Sequence, residues 1–311
     1  MYQSIYVDKL NRQVHIWDDQ EGHITVPLHQ YNYGYIKDPR GLKKAIDGKS
    51  VRKIKLNRGV REEAREGNKR HLYYETDVPI ETRVLIDRYG DSDEPSVNTR
   101  ELNFDIETEI LQGFPDWKNP INKITAIAWH EKVSNQYSAL VLDEECKVKT
   151  SIEGNRTIIS CQTEAELLHC FLEQYEEIQP HILTGWNIEM FDIPYLIARM
   201  NRVIGHEDTM RLSPVGQINY REKIDRWFIE GVSLLDYMIL YKKFTMGERP
   251  SYRLDAIGKH EVDLGKIEYE GNLDDLFNSD IDKYIEYNLN DVEIVKRLDE
   301  KLKFIDLAKA I

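Results

Sequence analysis

Glu101-Leu102-Asn103-Phe104-Asp105-Ile106-Glu107-Thr108 (101–108) is the stretch from which the fold of the chain is read. Its alternation of apolar and polar residues is the period-2 pattern of a β-strand with one face in a core. Residues two apart point the same way, so Asp105 and Glu107 project side by side while Phe104 and Ile106 face the other side. Two carboxylates so placed repel each other and lose hydration unless a cation sits between them. Taken alone, Asp-x-Glu on a strand more often describes a solvated edge, so its neighbours have to decide.

Downstream, KITAIAWHE (123–131) and QYSALVLDE (136–144) have the composition of neighbouring strands. Thr163 and Glu166 have capping-box spacing before the apolar face Leu167, Leu168, Phe171 and Leu172, which predicts a helix. HILTGWN (181–187) reads as a buried strand, FDIPYLIARMNRV (191–203) as an amphipathic helix, and VSLLDYMILYKKF (232–244) as a strand that turns helical. Ser279 is placed to cap a helix running through Tyr284 and past Asp291. Strands alternating with helices predict an α/β domain with a mixed central sheet over 101–311. Upstream, QSIYVD, HITVPL, HLYYETDV and TRVLID predict strands, so residues 1–100 read as a β-rich α+β domain. The polar stretch YGDSDEPSVNTR (89–100) is the expected linker.

Two further motifs accompany the strand acids. In Thr184-Gly185-Trp186-Asn187-Ile188-Glu189-Met190-Phe191-Asp192 a strand gives way to a helix, and Asp192 falls near the helix N-terminus, where a carboxylate is favoured. In Tyr287-Asn288-Leu289-Asn290-Asp291 the i, i+4 spacing puts the phenol and the carboxylate on one helix face. Each motif has an ordinary structural account, a helix cap in one case and a solvated polar pair in the other. Their order and contexts together are more specific than any one of them.

This series resembles the three motifs of the DEDDy subclass of RNase H-like 3′→5′ exonucleases. FDIET, ILTGWNIEMFDIPYL, GVSLLDYMILYKKF and YIEYNLNDVE together resemble the proofreading domain of family B DNA polymerases, nearest to those of T-even-type bacteriophages. The likeness runs from about residue 101 to the C-terminus and is weaker over 1–100. It implies that Asp105, Glu107 and Asp291 hold one Mg²⁺ or Mn²⁺, that Asp105 also touches a second, and that Asp192 holds that second ion largely through water. Tyr287 and Glu107 would orient the attacking water, with Thr108, Asn187 and Phe191 as substrate contacts. Hydrolysis by two such ions roughly 3.5–4 Å apart suits an all-oxygen donor set. Related phage enzymes carry a β-hairpin after the second motif. By that resemblance RLSPVGQINYREKIDRWFIEGVS (211–233) is the expected counterpart, with REKID as its turn and Tyr220, Trp227 and Phe228 as rings able to stack on bases.

The resemblance implies a phage protein at work in the host cytoplasm, and the overall acidity of the chain runs against nucleic-acid binding except in one segment. The 311 residues carry a net charge of −13, yet residues 37–70 hold 13 Lys or Arg against 5 Asp or Glu, a basic segment of the kind that meets phosphates. Cys146, Cys161 and Cys170 form no CxxC pair, which argues against a disulfide framework and against a zinc site. No apolar run is long enough to span a membrane, and MYQSIYVDKL lacks the pattern of a signal peptide. The expected partners are single-stranded DNA or a primer 3′ end, and a polymerase palm and thumb supplied by a second subunit or by a missing C-terminal part. A non-catalytic nucleic-acid-binding module and a freestanding DEDDy exoribonuclease are the competing readings. Tyr89-Gly90-Asp91-Ser92-Asp93 resembles a polymerase palm hairpin, but it precedes the exonuclease motifs and has no partner aspartate motif. The chain alone is therefore expected not to extend a primer; dNTP-dependent synthesis on a primed template would contradict this.

Overall fold

The computed structural model describes residues 1–94, 96–110, 113 and 115–310. Pro95 of the expected linker and Ile311 at the end of the terminal helical stretch lie outside them. The chain divides into two compact units, Met1–Asn98 and Thr99–Ile311.

In the first unit, β1 (Tyr2–Asp8), β2 (Gln13–Asp18) and β3 (Gly22–Pro27) form an antiparallel sheet. A second antiparallel sheet combines β4 (Tyr33–Lys37), β5 (Lys43–Lys44), β6 (Ser50–Lys55) and β7 (Tyr73–Tyr74). Helix α1 (Arg58–Glu66) follows β6, and α2 (Ile80–Tyr89) closes the unit. The expectation of a strand at TRVLID is corrected here, because those residues lie inside α2. Pro79 stands at the N-cap with Glu81 in the first turn, both good helix-start signals. Ile80 and Val84, four apart, share the face that packs against Val14 and Ile16 of β2. Tertiary burial thus overrides the β-propensity of Thr, Val and Ile. HLYYETDV contributes only the two residues of β7.

The second unit is built on a seven-stranded mixed sheet. Its strands are β8 (Glu101–Thr108), β9 (Ile124–Glu131), β10 (Gln136–Leu142), β11 (Ser151–Glu153), β12 (Arg156–Cys161), β13 (Ile182–Gly185) and, after the hairpin, β16 (Ser233–Asp236). They lie in the order β11-β12-β10-β9-β8-β13-β16. β8, β9 and β10 are antiparallel neighbours, whereas β13 runs parallel to both β8 and β16. On one face sit α3 (Glu164–Ile178) and α4 (Asp192–Val203), whose Leu168, Phe171, Ile193 and Ile197 meet Leu102, Phe104 and Ile106 in one core. The short α5 (His206–Met210) follows α4. On the other face lies the long α9 (Ile281–Leu302), with Ile285, Leu289 and Val292 against Ala128, Ala139 and Val141. Helices α6 (Tyr237–Phe244), α7 (Leu254–Val262), α8 (Leu273–Ser279) and α10 (Phe304–Lys309) complete the unit.

Ile294, Leu298 and Ile305 are buried against α6 and α7, with Leu302 packed beside them, so that stripe is used inside its own unit. The terminal helical stretch breaks at Lys303, which adopts φ 56° and separates α9 from α10. Two capping expectations also change. Thr163 does accept the Glu166 N–H, but the Glu166 carboxylate accepts from Gln162 N–H instead of closing a reciprocal box. Asp280, not Ser279, caps α9, while Ser279 donates its hydroxyl to the Asp275 carbonyl at the end of α8.

A buried ion pair holds α3 and α4 to the segment entering β9. The Arg199 guanidinium donates to both oxygens of Glu164 at 2.6 Å and to the carbonyls of Pro120 and Ile121, while Glu164 also accepts the Ile124 N–H. Breaking such a pair from one side strands a charge in the interior.

Hairpin strands β14 (Ile218–Arg221) and β15 (Arg226–Ile229) pair in register around the turn at 222–225. Tyr220 and Trp227 pack on each other and on Trp117, with ring centroids 5.2–5.7 Å apart, so these two rings are occupied by the fold. Phe228 lies under the Arg221 guanidinium at 3.8 Å.

Gly185, at the end of β13, lies tight against the backbone of β8. A Cβ there would lie 2.4 Å from the Phe104 carbonyl oxygen and 2.5 Å from Ile188 Cγ2. Gly185→Ala is therefore expected to cost about 1–3 kcal/mol, as overpacking does. Urea unfolding monitored by circular dichroism measures it, and an unchanged midpoint would show that β13 can back away freely.

Candidate active site

Strand β8 sorts its side chains by face. Leu102, Phe104 and Ile106 enter the core under α3 and α4. Asn103, Asp105 and Glu107 lie on the opposite face, under α9, where the Asn103 amide donates to the Val292 carbonyl at 2.7 Å. From α9, Asp291 reaches the same space, and one oxygen from each of Asp105, Glu107 and Asp291 lies within 4.8 Å of the others. Among the described residues this is the group of three or more ligating side chains close enough to share one ion.

Asp192 comes in from the other side of β8. Pairing of β13 with β8 ends at Thr184↔Asn103, which leaves the next rungs of β8 without a strand partner on that edge, while β9 continues along the other. The Asp192 carboxylate replaces it, accepting the Ile106 N–H at 3.1 Å between the two strand acids. Asp192 is the first residue of α4, and the turn before it is tied down by Asp236, whose carboxylate accepts the N–H groups of Asn187, Glu189 and Ile239. Asn187 adopts φ 68° in that turn. Phe191 is the N-cap residue of α4 and stacks on Tyr195. Thr108, the last residue of β8, is buried just past a register shift.

Tyr287 joins the acids through a residue the sequence reading did not single out. The Lys266 ammonium donates to the Tyr287 phenolic oxygen at 3.0 Å and to Asp291 Oδ2. Tyr269 packs edge-on against the Tyr287 ring. Lys266 lies between α7 and α8, with no helical or strand period to flag it.

Electrostatics at the site follow from this placement. Burial, followed by Glu107, Asp192 and Asp291, pushes Asp105 well above the ordinary carboxylate range. Burial and Asp291 raise Glu107 to about 8. Burial raises Asp192 to about 7 against the opposing Ile106 N–H, and burial raises Asp291 to about 6 against the opposing pull of Lys266. Burial pulls Lys266 down, but Asp291 and Asp105 outweigh it, so the ammonium stays charged. Burial and Asp291 hold the Tyr287 phenol protonated. Four acids thus face one cation. Asp291 is 2% exposed, and its Oδ1 has no hydrogen-bond partner among the described residues. An all-carboxylate set with an unsatisfied buried oxygen suits hard divalent cations such as Mg²⁺ or Mn²⁺.

Residues 44–257 match the family model described as DNA polymerase family B, exonuclease domain. Tyr287 and Asp291 lie beyond that stretch. The chain is 31% identical over 235 residues to the DNA-directed DNA polymerase of Enterobacteria phage T4, covering 67% of this chain and 26% of that protein. It is 32% identical over 237 residues to the corresponding polymerase of Escherichia phage RB69, with the same coverage. A DNA polymerase catalytic subunit of Saimiriine herpesvirus 2 (strain 11) is 24% identical over 181 residues, covering 53% of this chain and 17% of that protein. The chain thus spans about a quarter of the length of the phage proteins it matches. No helix among the described residues is long and apolar enough to cross a membrane.

A pH prediction follows from the raised carboxyls. Without divalent ions the folded chain binds these protons more tightly than the unfolded chain does. The stability they contribute is present below about pH 4 and lost as pH rises through 6 to 8. The melting temperature in EDTA should fall by several degrees between pH 6 and pH 8, and Mg²⁺ should raise it more at pH 8. Scanning fluorimetry at the two pH values measures this; equal Mg²⁺ shifts at both, or none, would contradict it.

Proposed function

The chain belongs to the exonuclease-domain family of family B DNA polymerases, and from that membership we propose that residues 101–311 are a proofreading 3′→5′ exonuclease acting on single-stranded DNA ends. The observation that carries this reading is the meeting of Asp105, Glu107 and Asp291, remote in sequence, within 4.8 Å. Their charge is compensated by Lys266 alone among the described side chains that touch them.

In this reading Asp105, Glu107 and Asp291 hold one divalent ion, while Asp105 and Asp192 attend a second. When bound, the ions supply an acidified water nucleophile and charge compensation at the leaving 3′ oxygen. The remaining work belongs to the chain itself. Tyr287, protonated and steadied by Lys266, offers its hydroxyl to the attacking water, and Glu107 accepts from that water. Lys266 adds positive charge where the phosphate becomes more negative. Asn187, Phe191 and Thr108, which flank the acids along the chain, are the proposed contacts to the terminal nucleotide.

Residues 1–100 are proposed as a separate domain that touches nucleic acid through the basic segment 37–70. A polymerase palm and thumb, on a second subunit or in the same longer chain, are the proposed partners. The bacterial host cytoplasm is the proposed location.

On 3′-labelled single-stranded DNA with Mg²⁺, Asp105→Ala should abolish digestion without changing the circular dichroism spectrum. Tyr287→Phe should slow digestion by about 100-fold or more. Near-normal digestion by the Asp105 variant would remove the assignment. The same assay on RNA of identical sequence addresses the exoribonuclease reading, which predicts a preference for RNA.

A further inference from the structure

Asn288 lies on α9 between Tyr287 and Asp291 and is fully buried, at 0% exposure. Its Nδ2 donates to Asp105 Oδ2 at 2.7 Å and lies 3.4 Å from the Asp105 carbonyl oxygen. The other half of the same amide, Oδ1, has no hydrogen-bond partner among the described residues. Nearby α9 residues facing the sheet, Ile285, Leu289 and Val292, are apolar. Packing alone would favour hydrocarbon at position 288, because a half-satisfied buried amide is destabilising.

Holding α9 onto the sheet does not account for it either. That work is already done by Asn103, whose buried amide donates to the Val292 carbonyl at 2.7 Å, and by the apolar contacts of α9. What Asn288 adds is a donor aimed at one oxygen of one acid. The other carboxylates around Asp105 are acceptors when ionised and cannot orient it. The terminal torsion of an aspartate is broad, so without a donor its two oxygens exchange places at little cost. A neutral amide fixes the plane without adding a positive charge that would compete with a cation.

We propose that Asn288 is a positioning residue: by engaging Asp105 Oδ2 it leaves Oδ1 as the oxygen presented to a divalent ion. This rests on reading the acidic cluster as a metal centre. Supporting groups of this kind typically change metal affinity by about 10–100-fold when removed.

The test is Mn²⁺ binding by calorimetry on the full chain, comparing wild type, Asp105→Ala and Asn288→Leu. Leu fills the same space and cannot donate. Asn288→Leu should melt in EDTA at or above the wild-type temperature and yet bind Mn²⁺ about 10–100-fold more weakly. In steady-state digestion of single-stranded DNA at fixed Mn²⁺, kcat should fall while KM for DNA stays put. Wild-type Mn²⁺ affinity in a folded Asn288→Leu chain overturns the inference and leaves the metal centre standing. Failure of the wild-type chain to bind Mn²⁺, or undiminished binding by Asp105→Ala, overturns the metal centre and this inference with it. Should Asn288→Leu lose its cooperative melt, Asn288→Ala goes through the same measurements with the same readings.

Discussion

Mutual repulsion among carboxylates in a partly dry space is the constraint around which this unit is arranged. Left alone, Asp105, Glu107, Asp192 and Asp291 would separate or take up protons, and burial drives all four toward the protonated form. The fold prevents separation. Asp105 and Glu107 are fixed by the alternation of β8, Asp291 by a 22-residue helix pressed on the sheet, and Asp192 by a turn that Asp236 anchors. Hydrophobic burial on both faces of the sheet offsets the electrostatic strain gathered at its centre.

The counterweight inside the chain is small. Lys266 is the cation that meets the cluster directly, and it divides its hydrogen bonds between Asp291 and Tyr287. This arrangement ties the phenol to the acids without a direct bond between Tyr287 and Asp291. With the acids ionised, one ammonium leaves net negative charge uncompensated, unlike a self-neutralised salt-bridge network.

Much of this was legible from residue order alone, because period-2 and i, i+4 spacing fix which side chains share a face. Strand β8, the strand-to-helix change at Asp236, helix α4 and the shared face of Tyr287 and Asp291 all follow from such spacing. What escaped was set by tertiary neighbours. Residues 82–87 have strand-forming side chains, yet Val84 buries its face only as part of a helix. Ser279 and Asp280 are both competent caps, and only the end of α8 decides between them. Lys266 and Asn288 carry no local signature at all, since each matters through a partner 25 or 183 residues away.

The point where β13 stops has a wider implication for how variants of this protein are interpreted. One oxygen of Asp192 completes the hydrogen-bond ladder that the missing strand would have supplied, and the same side chain stands among the acids. In the proposed function the residue is therefore both scaffold and reagent. Replacing it with alanine removes a rung from the sheet at the same time as a carboxylate from the acidic cluster, so lost activity in that variant would mix two causes. An asparagine, able to accept from Ile106 while carrying no charge, separates them.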